Sequence, residues 1–242
     1  METHKIAKWI AMCAGASRRA AERMIDEGRV SVNGETCRDK AVRVSPSTDR
    51  ATLDGKPLSA PPEARIWRFH KPKGCVTSAG DPEGRSTIYD FLPPEMQALK
   101  YVGRLDYNTE GLLLLTNSGA VADAMTSPSS ALPRIYRVRA FGRPDVRKMR
   151  EAQRGAVVDG IRYRPIEIES ERRDRASQLW YRLTLREGKN REIRAIMEYC
   201  GLQVTRLIRI GYGEYALGDL PPCATREEKL IGVPSPFAKT TA

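Results

Sequence analysis

GRLDYNTEGLLLLTNSG, residues 103–119, is the stretch on which the fold turns. Ahead of it, Leu99 to Val102 reads as the end of a strand, and behind its polar turn stand four consecutive leucines, Leu112 to Leu115. Four apolar residues are too few for a helix. Closed by Asn117-Ser118-Gly119, the run fits a strand buried on both faces. Between the two strands, Arg104, Asp106, Asn108, Thr109 and Glu110 crowd one turn between two glycines. A turn clamped at both ends can hold one side chain in a fixed position. Taken alone, Asp106 reads better as an aspartate that ties up its own loop.

The rest of the composition narrows the choice. A chain of 242 residues with 40% hydrophobic content and three Trp can bury a sizeable core in one or two domains. It carries 41 Lys and Arg against 30 Asp and Glu, a net charge of +11, which favours a polyanionic partner, either nucleic acid or an acidic membrane surface. No run approaches the ~18 apolar residues of a membrane span. The opening METHKIAKWIAMCAG lacks the long apolar core and cleavage site of a signal peptide, so a cytoplasmic protein is expected. The five cysteines (13, 37, 75, 200 and 223) are scattered with no Cys-x-x-Cys, and only His4 and His70 could join them. That pattern argues against a zinc site and for reduced, packed thiols. The chemistry is therefore expected to need no metal.

Residues 1–57 read as a small α/β module. KIAKWIAMCAG places Ile6, Trp9, Ile10 and Cys13 on one helical face, with Gly15 where the helix stops. Ser17 offers an N-cap to RRAAERMIDEG, whose Ala20, Ala21, Met24 and Ile25 form an apolar stripe opposite Arg18, Arg19 and Arg23. Asn33-Gly34, between strand-like residues, is a hairpin signal. The stretch from Ser17 to Gly34 resembles the S-four (alpha-L) RNA-binding module. That resemblance implies that Arg18, Arg19 and Arg23 meet RNA through phosphate contacts and shape recognition. A further short strand and turn, ATLDGKP, completes the module, and proline-rich residues 58–64 read as a linker.

The second domain, 65–235, resumes with RIWRFHKPKG, a strand ending in a turn that carries Lys71 and Lys73, followed by DPEGRSTIYDFLP. AVADAMTSP reads as a short helix stopped by Pro128, and IYRVRAFG as a strand with Tyr136, Val138 and Ala140 on one face and Arg137 and Arg139 on the other. RPDVRKMREAQRG then reads as a helix, VVDGIRY as a hairpin, and Arg172 to Ser177 as a charged, solvated loop. Next come a strand from Leu179 to Leu185 and a helix capped by Asn190 and ended by Gly201. Its core face is Ile193, Ile196, Met197 and Cys200, with Arg194 at the edge of that seam. VTRLIRI adds a last strand, and 236–242 reads as a frayed tail.

GRLD…TEGLLLLTN closely resembles the catalytic motif of pseudouridine synthases, and RFHKPKG with DPEGRSTIYDFLP resembles the first motif of their ribosomal small-subunit/large-subunit branch. GKNREIRAIME resembles the third. The resemblance runs from about residue 3 to 235. The chain departs from the family pattern at His70, Ser118 and Cys223, where Asn, Asp and Gly are usual.

By this resemblance Asp106 is the catalytic carboxylate, Arg194 its partner, Tyr136 the ring that stacks on the target base, and Leu207 a wall of the nucleotide pocket. Arg104 helps hold the opened RNA, and Lys71, Lys73, Arg137 and Arg139 are RNA-facing. The implied fold is α+β: the small module joined to a catalytic domain with a mixed, mostly antiparallel sheet flanked by helices.

The implied reaction needs no cofactor. The ribose carbon 1′ bond to uracil nitrogen 1 breaks, the base turns, and carbon 5 is joined instead, so nothing is oxidised and no atom of the base is replaced except a proton. Asp106 serves either as nucleophile at carbon 1′ or as base at carbon 2′. Both roles require an ionised carboxylate in a water-poor pocket, which a nearby arginine favours. Flipping the uridine costs a few kcal/mol, offset by stacking. The expected partner is ribosomal RNA or a pre-ribosomal particle, with large-subunit RNA favoured over small-subunit RNA and the protein acting as a monomer. Two other readings compete. A glycosidase pairing Asp106 with Glu110 is weak, because both lie in one short turn. A non-catalytic RNA-binding assembly factor with the same fold predicts a missing catalytic position.

Overall fold

The computed structural model describes residues 3–59, 61–175 and 178–232. The expected tail lies outside them. By contact the chain divides into two units, one built on residues 1–64 and the other on residues 65–116 and 120–238.

In the first unit, α1 (Ile6–Cys13) buries Ile6, Trp9 and Ile10, and α2 (Arg18–Asp26) buries Ala21 and Ile25. The Ser17 hydroxyl accepts the Ala20 N–H at 3.1 Å, capping α2 as its position predicts. β1 (Val30–Val32) turns into β2 (Glu35–Thr36) through Asn33 and Gly34, both with positive φ, the backbone that a tight two-residue hairpin requires. β3 (Ala51–Leu53) pairs with β1, and β4 (Lys56–Pro57) closes a four-stranded sheet. Arg18, Arg19 and Arg23 stand exposed on α2.

The second unit is built on one sheet. Its main strands are β5 (Ile66–Lys71), β6 (Lys100–Val102), β7 (Glu110–Thr116), β8 (Arg134–Gly142), β9 (Glu167–Arg175), β10 (Gln178–Leu185), β11 (Leu202–Tyr212), β12 (Tyr215–Ala216) and β13 (Thr225–Glu228). Their order is β9-β10-β8-β11-β7-β5-β13, with β6 beside β7 and β12 beside β11. Every pairing is antiparallel except β11 with β7. Helices α3 (Gly119–Thr126), α4 (Val146–Arg154) and α5 (Glu192–Tyr199) complete the unit. This is the expected α+β architecture.

The four leucines behave as their run predicts: Leu112 to Leu115 are all fully buried in β7. Leu113 and Leu115 join Trp67, Phe69, Ile88, Leu99 and Leu105 in one core. Ile193, Ile196, Met197 and Cys200 of α5 pack with Val138, Ala140, Leu183 and Leu207 in a second. Tyr136 is partly buried and touches both.

The single parallel joint sets Ile208 opposite Glu110 and Arg209 opposite Gly111. Gly111 is required there. A Cβ at this position would lie 2.3 Å from the Arg209 carbonyl oxygen and 2.8 Å from its nitrogen, and its φ of 105° suits only glycine. The joint brings Leu207 and Arg209 up beside the turn that carries Asp106.

Two local expectations change. Arg172 to Arg175 continue β9 instead of forming a loop, because they pair with β10; residues 176–177 lie outside the described residues. Asn190 does not cap α5. The N-cap is Arg191, in left-handed backbone with no side-chain cap, and the Glu192 carboxylate reaches back to accept the Lys189 N–H at 3.0 Å. Among the described residues no helix is long and apolar enough to cross a membrane.

Candidate active site

The turn between β6 and β7 is pinned from beneath. Lys71, at the end of β5, has no exposed surface. Its ammonium donates to the carbonyls of Pro72 (3.0 Å), Asp106 (3.3 Å) and Thr109 (2.9 Å). Burial pushes the Lys71 pKa down, and the Asp106 charge is among the influences opposing that shift. The Thr77 hydroxyl donates to the Leu105 carbonyl at 2.8 Å and takes the Leu105 N–H at 3.2 Å. The Thr109 N–H closes the turn onto the Asp106 carbonyl at 3.0 Å. Every one of these contacts uses backbone. The Asp106 carboxylate makes no hydrogen bond or ion pair among the described residues, so it is held in place yet left uncommitted.

It opens onto a cavity of about 620 Å³, which Arg104, Tyr136, Arg194 and Leu207 also line. Four elements far apart in sequence thus converge: the β6–β7 turn, β8, α5 and β11. The Arg194 guanidinium donates to the Asn108 carbonyl at 3.4 Å and the Val204 carbonyl at 3.5 Å, and its Nε is buried without a partner. Burial and the neighbouring Arg191 push the Arg194 pKa down, while the Asp106 charge holds it up. The two side chains share the cavity and feel one another, but no direct ion pair joins them. Leu207 is both core and cavity wall.

The predicted basic contacts divide. Lys71 does not face outward, because its charge is spent on the three carbonyls beneath the turn. Lys73 is exposed, with its ammonium 3.8 Å from Glu110. Arg137 and Arg139 lie on the sheet face away from Tyr136 and do not border the cavity. Both guanidinia stand over the Trp180 ring, at 4.7 and 5.9 Å, and Arg137 also pairs with Glu171 at 2.5 Å. Glu110 is gripped by Arg206 at 2.7 and 3.2 Å, which removes it as a second free carboxylate beside Asp106.

Three cavity groups escaped the sequence reading. Arg209 is 1% exposed. Its Nε donates to the Leu112 carbonyl at 2.7 Å, and one terminal nitrogen is buried without a partner. Its signal was the period-two step from Leu207, which puts both on one strand face. The other two are Glu187 and Glu192, which both line the cavity and act on one another electrostatically. Burial pushes the Glu192 pKa up to about 7, with Glu187 adding to the shift. Glu187 also feels burial, but the Arg164 N–H and the Lys189 ammonium bring its pKa below the usual range.

This pair sets a pH dependence. Below about pH 4.5, its ordinary pKa, Glu192 is protonated whether folded or unfolded; between there and about pH 7 only the unfolded chain ionises. Stability is thus lost across that window, by roughly 3 kcal/mol. Glu187 acts in the opposite sense, and only below about pH 4.5. Glu192→Gln mimics the protonated form. Its melting temperature is expected to gain several degrees on the wild type between pH 5 and pH 8. Parallel curves would contradict the shift.

Known proteins share this chain's sequence and its fold. The RNA pseudouridylate synthase family model matches residues 65–199, and an S4 domain matches residues 5–49. An uncharacterized RNA pseudouridine synthase of Rickettsia conorii is 40% identical over 219 residues, covering 90% of this chain and 94% of the relative. The ribosomal large subunit pseudouridine synthase B of Salmonella typhi is 39% identical over 225 residues, covering 89% of this chain and 75% of the relative. A crystal structure of a pseudouridylate synthase superposes with a TM-score of 0.65 at 26% identity, covering 93% of this chain and 95% of that one. The chain belongs to the RNA pseudouridine synthase family. It is an enzyme that isomerises uridine in RNA, and it carries an S4 domain ahead of the part that does so.

Proposed function

We propose that this enzyme converts a uridine of large-subunit ribosomal RNA to pseudouridine, with Asp106 as the reacting carboxylate. The observation that carries the proposal is the convergence of Asp106, Tyr136 and Arg194 on one cavity, with the Asp106 carboxylate uncommitted. In this reading the target uridine leaves its stack and its ring lies against Tyr136. Arg194 sets positive charge beside Asp106, and Arg209 adds a second guanidinium to the same cavity wall, where charge developing in the reaction can be met. The carboxylate then attacks carbon 1′ or removes the proton at carbon 2′. The bond to nitrogen 1 breaks and carbon 5 bonds to carbon 1′; the carbon 5 proton leaves and nitrogen 1 gains one, so the balance closes without a cofactor.

Arg104 at the cavity rim supports the opened RNA. Residues 1–57, with Arg18, Arg19 and Arg23, serve as the RNA-docking module, 58–64 as linker and 65–235 as the catalytic domain. The enzyme works as a monomer in the cytoplasm. Large-subunit RNA is favoured because the Salmonella relative bears that name and matches along 75% of its length. Mapping pseudouridines in ribosomal RNA from a strain lacking the gene tests this directly. One site lost from large-subunit RNA is expected, restored by the wild-type gene. A loss confined to small-subunit RNA, or no loss, would overturn the assignment.

A further inference from the structure

Next to the active-site cavity lies a second, smaller one of about 350 Å³. It is bordered by Arg154, Arg162, Arg164 and Lys189 around a floor that includes Ala156 and Tyr163. Arg154 ends α4, and the hairpin of Val157–Val158 with Ile161–Arg162 forms one wall. Among the described residues the Arg154, Arg162 and Arg164 side chains make no hydrogen bond or ion pair. The Lys189 ammonium meets the Glu187 carboxylate at 2.8 Å and the Arg162 carbonyl, and stands over the Tyr163 ring at 5.4 Å. No acidic side chain borders the cavity. Of the acids around it, Glu187 is occupied by Lys189 and by the Arg164 N–H at 2.6 Å, while Glu192 and Asp159 act on Tyr163 without lining the cavity.

Three exposed guanidinia with no acidic partner border one concavity, so an anion placed among them meets positive charge from several sides. Guanidinium groups match phosphate geometrically, through paired N–H donors. The carbonyl end of α4 disfavours an anion only weakly, a partial charge against three full ones. Lys189 also lines the active-site cavity, so the two concavities adjoin through one residue.

We propose that this basic pocket binds a backbone phosphate of the substrate RNA, on the strand that flanks the flipped uridine, and so adds affinity for the RNA alongside the site of reaction. The inference rests on the proposed function above and extends it. Its ligand is the phosphodiester group, read without regard to base identity.

The test is the triple variant R154Q/R162Q/R164Q, with RNA binding and steady-state kinetics measured from low to moderate salt. At fixed salt the expected result is a rise in KM of about tenfold or more with kcat within twofold of wild type. The slope of log affinity against log salt should become shallower by roughly 0.7–0.9 for each phosphate that is no longer neutralised. Unchanged affinity and slope would overturn the proposal. If the triple variant fails to fold, R162Q alone must weaken binding while R162K retains it; equal behaviour of the two would also overturn it. Wild-type activity on the same RNA separates the two readings, since an inactive wild type refutes the function and an active one leaves only the pocket at stake.

Discussion

Asp106→Asn is expected to lower pseudouridine formation by at least about 10³-fold while RNA binding and melting temperature stay close to wild type. That separation of function follows from the contacts. The structural duties at position 106 belong to its carbonyl, which takes the Lys71 ammonium and the Thr109 N–H. The carboxylate itself has no partner among the described residues, so the amide removes charge and nucleophilicity and little else. Single-turnover conversion of ribosomal RNA, beside a thermal melt, is the measurement. Turnover near the wild-type rate would remove Asp106 from the chemistry.

Lys71→Met is expected to be the most damaging change away from the cavity. The Thr109 carbonyl loses its ammonium donor, the Asp106 carbonyl is left with the Thr109 N–H and the Pro72 carbonyl with the Cys75 thiol; an unmet buried acceptor costs about 1–3 kcal/mol. Relief from burying an ammonium offsets part of that loss, as the lowered Lys71 pKa indicates. The net cost should be roughly 2 kcal/mol. The larger effect is on rate: freed from its clamp, the turn no longer fixes the carboxylate, and a displacement near 1 Å costs about 10²-fold in kcat. Chemical denaturation and kcat at saturating RNA check both parts. A variant with wild-type kcat would show that the turn holds its shape without the lysine.

Much of this architecture could be read from local pattern alone. The four leucines marked the central strand because their run was short and closed by turn residues. Ser17 and Asn33-Gly34 worked because caps and tight turns depend on a few neighbouring atoms. The core face of α5 followed from its spacing. What stayed hidden depends on long-range register. Lys71 sits 35 residues from the Asp106 carbonyl that it holds, and the lysines of KPKG look alike until the strand is extended. Even so, Trp67, Phe69 and Lys71 alternate inward together, a period-two signal that marks Lys71 as buried. Arg209 follows Leu207 in the same way. The parallel joint at Gly111 and the Glu187–Glu192 pair had no such signal. The first joins strands about a hundred residues apart; the second arises because α5 begins at a left-handed Arg191, which neither propensity nor spacing announces.

The most direct test follows the proton that the isomerisation must shed. Large-subunit RNA labelled with tritium at carbon 5 of uridine is incubated with the wild-type enzyme and with Asp106→Asn. Bonding carbon 5 to the ribose expels its hydrogen, so the wild type should release one tritium for each pseudouridine formed, and the variant almost none. Pseudouridine formed without tritium release, or equal release by both proteins, would contradict the account.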